Sequence, residues 1–279
     1  MMPYTIRYPF FKGRVALFAI LQAAGIGDGD QVLVPGYTCV VVPNAIRYTG
    51  AEPIYLDVDS HTGNLDCDKL EANICQSWDP ARTRAIITQH TYGIPCNMDR
   101  LCEFASRYNL LVIEDSCHAL GSKWNNHYVG TQGDAAFFSS QWSKPVTTGL
   151  GGWAQVNSPH LRDKLEATLH EYNPPRTAKA IQLALQFSAF RLLNHPRLFW
   201  IIQNIYRNLS DKGLAIGSST KGELCCELPD EYQTGMHSIQ LRQLSRLIQN
   251  IEHLVETRKS NSVLIENTLR KYGLPIIGV

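Results

Sequence analysis

Three things are missing from this chain, and each absence removes a class of function. There is no excess of charge: 26 lysines and arginines stand against 25 aspartates and glutamates, a formal net charge of +1, so nothing in the balance attracts nucleic acid. There is no run of about 18 uninterrupted apolar residues, so no membrane-spanning helix is expected and membrane association is disfavoured. There is also no Cys-x-x-Cys pair. The eight cysteines, at positions 39, 67, 75, 96, 102, 117, 225 and 226, are dispersed, which argues against a zinc or redox motif and reads as reduced thiols in the cytoplasm. What remains, at 279 residues, is enough chain for one or two domains around a large core.

The pattern along the chain is that of an α/β protein. Short apolar runs QVLVP (31–35), PIYL (53–56), AIIT (85–88), LLVIE (110–114) and AAFFS (135–139) alternate with helical stretches, which predicts a three-layer αβα arrangement around a mostly parallel sheet. Near the N-terminus, Lys12 and Arg14 precede VALFAILQAAG, a loose imitation of a signal peptide. The first helix of the fold is the preferred reading, because Gly25 and GDGD follow as helix terminators. Beyond Asn157 the chain turns helical. Residues 176–210 form an unusually apolar pair of helices broken at Asn194, His195 and Pro196. Such a pair can cover a site, meet a partner subunit or rest on a membrane; ordinary packing against the domain is the preferred expectation. From Ile239 to Leu269, apolar residues at 244, 247, 248, 251, 254 and 255 keep helical spacing, which predicts one long amphipathic helix.

The chemistry is concentrated between Leu110 and Trp153. The buried run LLVI delivers Asp115 to the carboxyl edge of the sheet, where ligands of open α/β sheets collect, and Lys144 follows in FFSSQWSKPVTTGLGG. A lysine amine to hold an aldehyde as a Schiff base and a carboxylate to keep a ring nitrogen protonated are what pyridoxal phosphate needs. A lysine in an apolar pocket beside another cation also loses proton affinity, which frees the amine for attack on a carbonyl. On their own, an Asp and a Lys read more readily as a helix cap and a solvated loop cation. Cys117 beside His118 invites a thiol–imidazole pair, but adjacent residues point in different directions, which disfavours it.

Six segments in order shift the balance: GDGDQVLVPGYT (27–38), GAEPIYLDVD (50–59), TRAIITQHTYG (83–93), MDRLCEFASRYNLLVIEDSCHALGS (98–122), VGTQGDAAFFSS (129–140) and KPVTTGLGG (144–152). Together they resemble the DegT/StrS-type aminotransferases, pyridoxal phosphate enzymes of fold type I that mostly aminate keto-sugar nucleotides. The resemblance covers most of residues 13–157 and returns more weakly from Tyr232 to Leu269. It implies that Lys144 forms the Schiff base and shuttles a proton, that Asp115 pairs with the pyridine nitrogen, and that His118 contacts the ring's 3-oxygen. It further implies that Ser139 binds the phosphate, and that GRVAL (13–17) opens a helix whose amides meet it. There Gly13 keeps the family's glycine, while Arg14 replaces a threonine and can add a guanidinium contact.

The departures are equally definite. Cys39 stands where many members stack an aromatic ring on the cofactor, leaving Tyr37 as the candidate for that face. Leu150 replaces the glutamate of the family's GEGG. A family asparagine that reaches the neighbouring subunit's phosphate aligns near Gln233, where the local match is poor. His90, in TQHTYG, falls near the mouth of the site and reads equally as a strand-end histidine holding a turn. Relatives continue into a small α/β domain, so the resemblance implies a pyridoxal phosphate domain over 1–231, with a helical insertion at about 160–228, and the start of a truncated small domain over 232–279.

The resulting expectation is a cytoplasmic homodimeric aminotransferase that moves an amino group from glutamate or glutamine to a keto-sugar nucleotide, for amino-sugar, surface polysaccharide or antibiotic synthesis. No metal is expected. Two alternatives stand beside it. One is another pyridoxal phosphate reaction on the same scaffold, although dehydratase-like relatives lack the lysine. The other is a catalytically degraded binding or regulatory protein, suggested by Cys39, Leu150 and the short C-terminus.

Overall fold

The computed structural model describes residues 4, 6–72, 78–193, 195, 197–213, 215–217 and 227–274. The N-terminal half alternates strand and helix: β1 (Tyr8–Phe10), α1 (Gly13–Ala23), β2 (Gln31–Pro35), α2 (Val41–Tyr48), β3 (Glu52–Leu56), β4 (Thr83–Gln89), α3 (Met98–Arg107) and β5 (Leu111–Asp115). A two-stranded ribbon, β6 (Lys123–Trp124) and β7 (His127–Tyr128), precedes β8 (Ala135–Ser139) and β9 (Gly152–Val156). Five of the strands overlie the runs expected from sequence; β1, β9 and the ribbon were not anticipated.

Seven strands form one sheet in the order β1-β9-β8-β5-β4-β2-β3. The pairs from β8 through β5, β4 and β2 to β3 are all parallel, and β9 and β1 add two antiparallel pairings at one side. Alternate residues of each strand serve opposite faces, as a period of two requires. Val32, Val34, Ala85, Ile87 and Ile113 join α1 and α2 in one apolar layer. Leu33, Ile86 and Val112 join α3 in the other. Ala136 and Phe138 extend that second side toward the C-terminal helices. This is the expected three-layer αβα arrangement with a mostly parallel sheet.

Helix α1 is buried on almost every side, with Val15, Leu17, Ile20 and Leu21 fully inaccessible, each worth on the order of 2 kcal/mol of apolar burial. It ends where Gly25 takes φ +75°, with Gly25 N donating to Gln22 O at 2.9 Å and Ile26 N to Leu21 O at 3.1 Å. That left-handed closure satisfies the last carbonyls and needs a glycine.

After α4 (Pro159–Thr168) come the apolar helices α5 (Thr177–Leu193) and α6 (Phe199–Asp211). The expected packing against the domain holds for one face only. Leu183 joins Phe11 and Leu150 in a small apolar cluster, and Trp142 lies edge-on to Phe190 and Tyr206. The opposite face stays in solvent, with Leu192 84% and Trp200 72% exposed. The single long C-terminal helix is corrected to two, α7 (Ser238–Gln249) and α8 (Ile251–Lys271). Asn250 leaves helical geometry at φ −104°, ψ 16°, and its side chain donates to Arg246 O at 3.3 Å. All six apolar residues of the expected stripe nevertheless face the sheet: Leu244, Ile248 and Ile251 are buried, and Leu247, Leu254 and Val255 pack around them.

Candidate active site

The strand order reverses beside β2, whose two neighbours are β3 and β4. Crevices of this kind open beyond the carboxyl ends of the strands. A cavity of about 360 Å³ occupies that edge, and Gly13, Arg14, Tyr37, Asp115, His118, Ser139 and Lys144 all line it. Every residue singled out from sequence as a candidate ligand of the cofactor therefore meets in one place.

The sheet explains the convergence. Asp115 and Ser139 close adjacent parallel strands, β5 and β8. Asp115 is buried and its Oδ1 accepts from Cys117 N at 3.0 Å, which fixes the carboxylate at the strand end. Ser139 pairs in register with Gly152 on β9. A Cβ on Gly152 would sit 2.3 Å from Gly13 N, and one on Gly13 would sit 2.9 Å from the Ser139 Cβ. Only two glycines permit this approach, and it seats the first amides of α1 beside the Ser139 hydroxyl. The first amides of a helix carry its positive dipole end, so hydroxyl and helix form a cradle for an anionic oxygen. Arg14 is buried beside them.

Lys144 sits on a loop tied at both ends. Ser140 N donates to Gly151 O and Thr148 N to Ser140 O, both at 2.9 Å, while Lys144 N donates to Gln141 O at 2.9 Å in a tight turn. The Ser140 and Thr148 hydroxyls bond at 2.8 Å, and Gln240 Nε2 donates to Leu150 O from α7. Leu150 itself is fully buried, in the cluster with Phe11 and Leu183 of α5. A carboxylate at position 150 has no place in that cluster, so the departure from GEGG accompanies the docking of the apolar helices.

Burial and the Lys144 ammonium lower the His118 imidazole below its ordinary pKa, with Asp115 pulling weakly the other way. His118 is therefore neutral near pH 7 and can donate one hydrogen bond. Desolvation, followed by the Asp115 charge, pushes the Cys117 thiol well above its ordinary value, which makes it a poor nucleophile. The ring of His118 is parallel to Tyr92 within 6°, with centroids 6.1 Å apart. The Tyr92 hydroxyl is hydrogen-bonded to that of Tyr37. Tyr92 takes φ 54°, a left-handed conformation rarely adopted by bulky residues. Three rings, Tyr37, Tyr92 and His118, thus edge the cavity, and Cys39 lines it without adding a ring.

Gln89, Thr38, Thr91 and Gln141 also line the cavity and were not anticipated. Gln89 accepts from Thr38 Oγ1 at 2.8 Å and donates to Thr91 Oγ1 at 2.9 Å. The available signal was register, since Gln89 stands opposite Asp115 across β4 and β5. His90, one residue on, has the structural role. It is fully buried, its Nδ1 accepts from Cys96 N at 3.0 Å, and its Nε2 therefore carries the proton donated to Glu114 Oε2 at 2.9 Å. Gln233 is exposed, on a short turn of Asp230–Gln233, and is not among the cavity residues.

The DegT/DnrJ/EryC1/StrS aminotransferase family model matches residues 11–181. The chain belongs to this family. GDP-perosamine synthase of Escherichia coli O157:H7 is 43% identical over 153 residues, 55% of this chain and 41% of that protein. GDP-perosamine synthase of Caulobacter vibrioides is 44% identical over 154 residues, 55% of this chain and 40% of that one. An aminotransferase structure from Psychrobacter cryohalolentis superposes with a TM-score of 0.55 at 32% identity, covering 59% of this chain and 41% of its own. The chain thus spans about two-fifths of the length of the relatives it matches. Its sheet is that of the large domain of fold type I pyridoxal phosphate enzymes.

Proposed function

We propose that this DegT/StrS family chain is a pyridoxal phosphate-dependent aminotransferase that acts on a keto-sugar nucleotide, with glutamate or glutamine as amino donor. The observation that carries the reading is the single cavity into which Lys144, Asp115, His118, Ser139, Gly13, Arg14 and Tyr37 all open. The residues fit the cofactor: a lysine amine, a buried carboxylate, a neutral imidazole, a hydroxyl, and a helix end where a Cβ would fill the space. Bound there, pyridoxal phosphate supplies an electron sink for the carbon that gains or loses the amino group.

The chain's own groups divide the rest of the work. Lys144 Nζ would hold the cofactor's aldehyde carbon and, as a free amine, would carry the proton at the reacting carbon. The Asp115 carboxylate keeps a proton on the ring nitrogen. His118 donates to the ring's 3-oxygen. Ser139 Oγ and the amides of Gly13 and Arg14 bind the phosphate, and the Arg14 guanidinium adds charge. Tyr37, steadied by Tyr92, covers the face that Cys39 leaves open. A homodimer in the cytoplasm, with the pyridoxal phosphate domain over 1–231 and a second domain beginning at 232, completes the reading. The sugar chemistry rests on the two GDP-perosamine synthases.

Borohydride reduction of the loaded protein, followed by peptide mass spectrometry, should place a pyridoxyl group on Lys144 and none on any peptide of Lys144→Ala. Label at another lysine overturns the anchor. Addition of glutamate should then shift the cofactor spectrum of the wild type; a protein that binds cofactor without that response is a binding or regulatory protein instead.

A further inference from the structure

The outer face of the α5–α6 pair carries exposed large apolar side chains that the cavity does not use. Leu198, Trp200 and Ile201 are exposed, while Ile205 and Leu209 open on a cleft that they share with Trp142 and Phe190. The inner face is committed elsewhere: Tyr206 donates its hydroxyl to Ile216 O at 3.1 Å. Across the break, Leu192 is 84% exposed at the end of α5. Charge on this segment has one sign. From residue 172 to residue 210 there is no aspartate or glutamate, while Arg176, Lys179, Arg191, Arg197 and Arg207 supply five cations.

We propose that the α5–α6 pair is a membrane-surface anchor that lays Leu192, Leu198, Trp200 and Ile201 into the headgroup boundary of a bilayer rich in anionic phospholipid. Exposed tryptophan and leucine beside basic residues, with no acid among them, match the composition of an interfacial helix. The pair lies on the surface and does not cross it, because no helix among the described residues is long and apolar enough to span a bilayer. Charge also separates this occupant from a second copy of the chain. Self-association through this face is isologous and would set a segment that carries cations and no acid against its own copy, whereas anionic headgroups neutralise it. Arg191 and Arg197 flank the exposed tip and meet the phosphates first.

The test uses the full chain loaded with pyridoxal phosphate and sedimented with phosphatidylcholine vesicles, with and without phosphatidylglycerol. The wild type should bind the anionic vesicles and release them as salt rises. The Arg191→Gln, Arg197→Gln double variant should lose roughly fivefold in partitioning per arginine on anionic vesicles, and Trp200→Ser with Ile201→Ser should lose binding on both compositions. Quenching of wild-type tryptophan fluorescence by lipids brominated on the acyl chain gives a second readout that needs no variant. Three results overturn the proposal: no binding at low salt, binding indifferent to lipid charge, or variants that change the oligomeric state while vesicle binding is unaltered.

Discussion

Two neighbouring acids at the end of β5 have opposite fates. Asp115 opens on the cavity, while Glu114 is fully buried and accepts from Gly130 N at 2.6 Å, Gln132 N at 2.9 Å and Gly133 N at 2.7 Å as well as from His90. Burial pushes the Glu114 carboxyl up, but the bonds from His90 and the loop amides outweigh it and hold the group below its ordinary 4.5. A carboxylate depressed in the folded state contributes stability above its unfolded pKa and loses it as pH falls through the folded value. Thermal melts should therefore show a destabilisation that begins below about pH 4.5, and that step should vanish in Glu114→Gln. The same substitution should cost roughly 2–3 kcal/mol at pH 7, because hydrogen bonds to a charged acceptor are replaced by poorer ones. His118 is also depressed, from an ordinary 6.5, so the unfolded chain takes up its proton first. Its contribution is complete above about pH 6.5 and declines below; His118→Gln should remove that inflection in stability and weaken retention of the cofactor.

At the scale of elements, the approach of α1 to β9 is the tightest joint near the cavity. A methyl group on Gly152 meets the backbone of Gly13, which cannot yield as a side-chain end can. Gly152→Ala should destabilise by about 2–3 kcal/mol in denaturant titration and should weaken phosphate-dependent cofactor binding more than Gly25→Ala, whose strain lies at the far end of α1. Leu150 couples the lysine loop to α5. Leu150→Glu places an unpaired charge in an apolar cluster, an expected loss of about 3 kcal/mol or more, while Leu150→Met should cost under about 1.5 kcal/mol; chemical denaturation separates the two.

For the whole molecule, legibility followed the range of the forces involved. The parallel strands were readable because each is a short apolar run between turn residues; Asp115 at a strand end and Lys144 on a later loop were visible as a pattern, but the roles given to them and to Ser139 rested on the resemblance of the surrounding segments. The edge strands β1 and β9 were not readable, since three residues of YPF or five of GWAQV carry no periodicity of their own. Nor were Gln89 and Tyr92, whose place depends on register between strands and on a left-handed turn. The interruption at Asn250 was hidden by an apolar stripe that continues unbroken through it. The solvent-facing side of α5 and α6 was likewise invisible, because an apolar helix reads the same whether its neighbour is protein or water.

The pleat of β5 thus separates a carboxylate that braces the scaffold from one that opens on the ligand space, and it does so with a single peptide bond. Gain of one residue inside that strand would carry Glu114 into the place of Asp115 and an apolar neighbour into the place of Glu114. The loop at 130–133 would forfeit its acceptor, and the ligand space would receive the wrong acid, although every amino acid with chemistry to offer was still present.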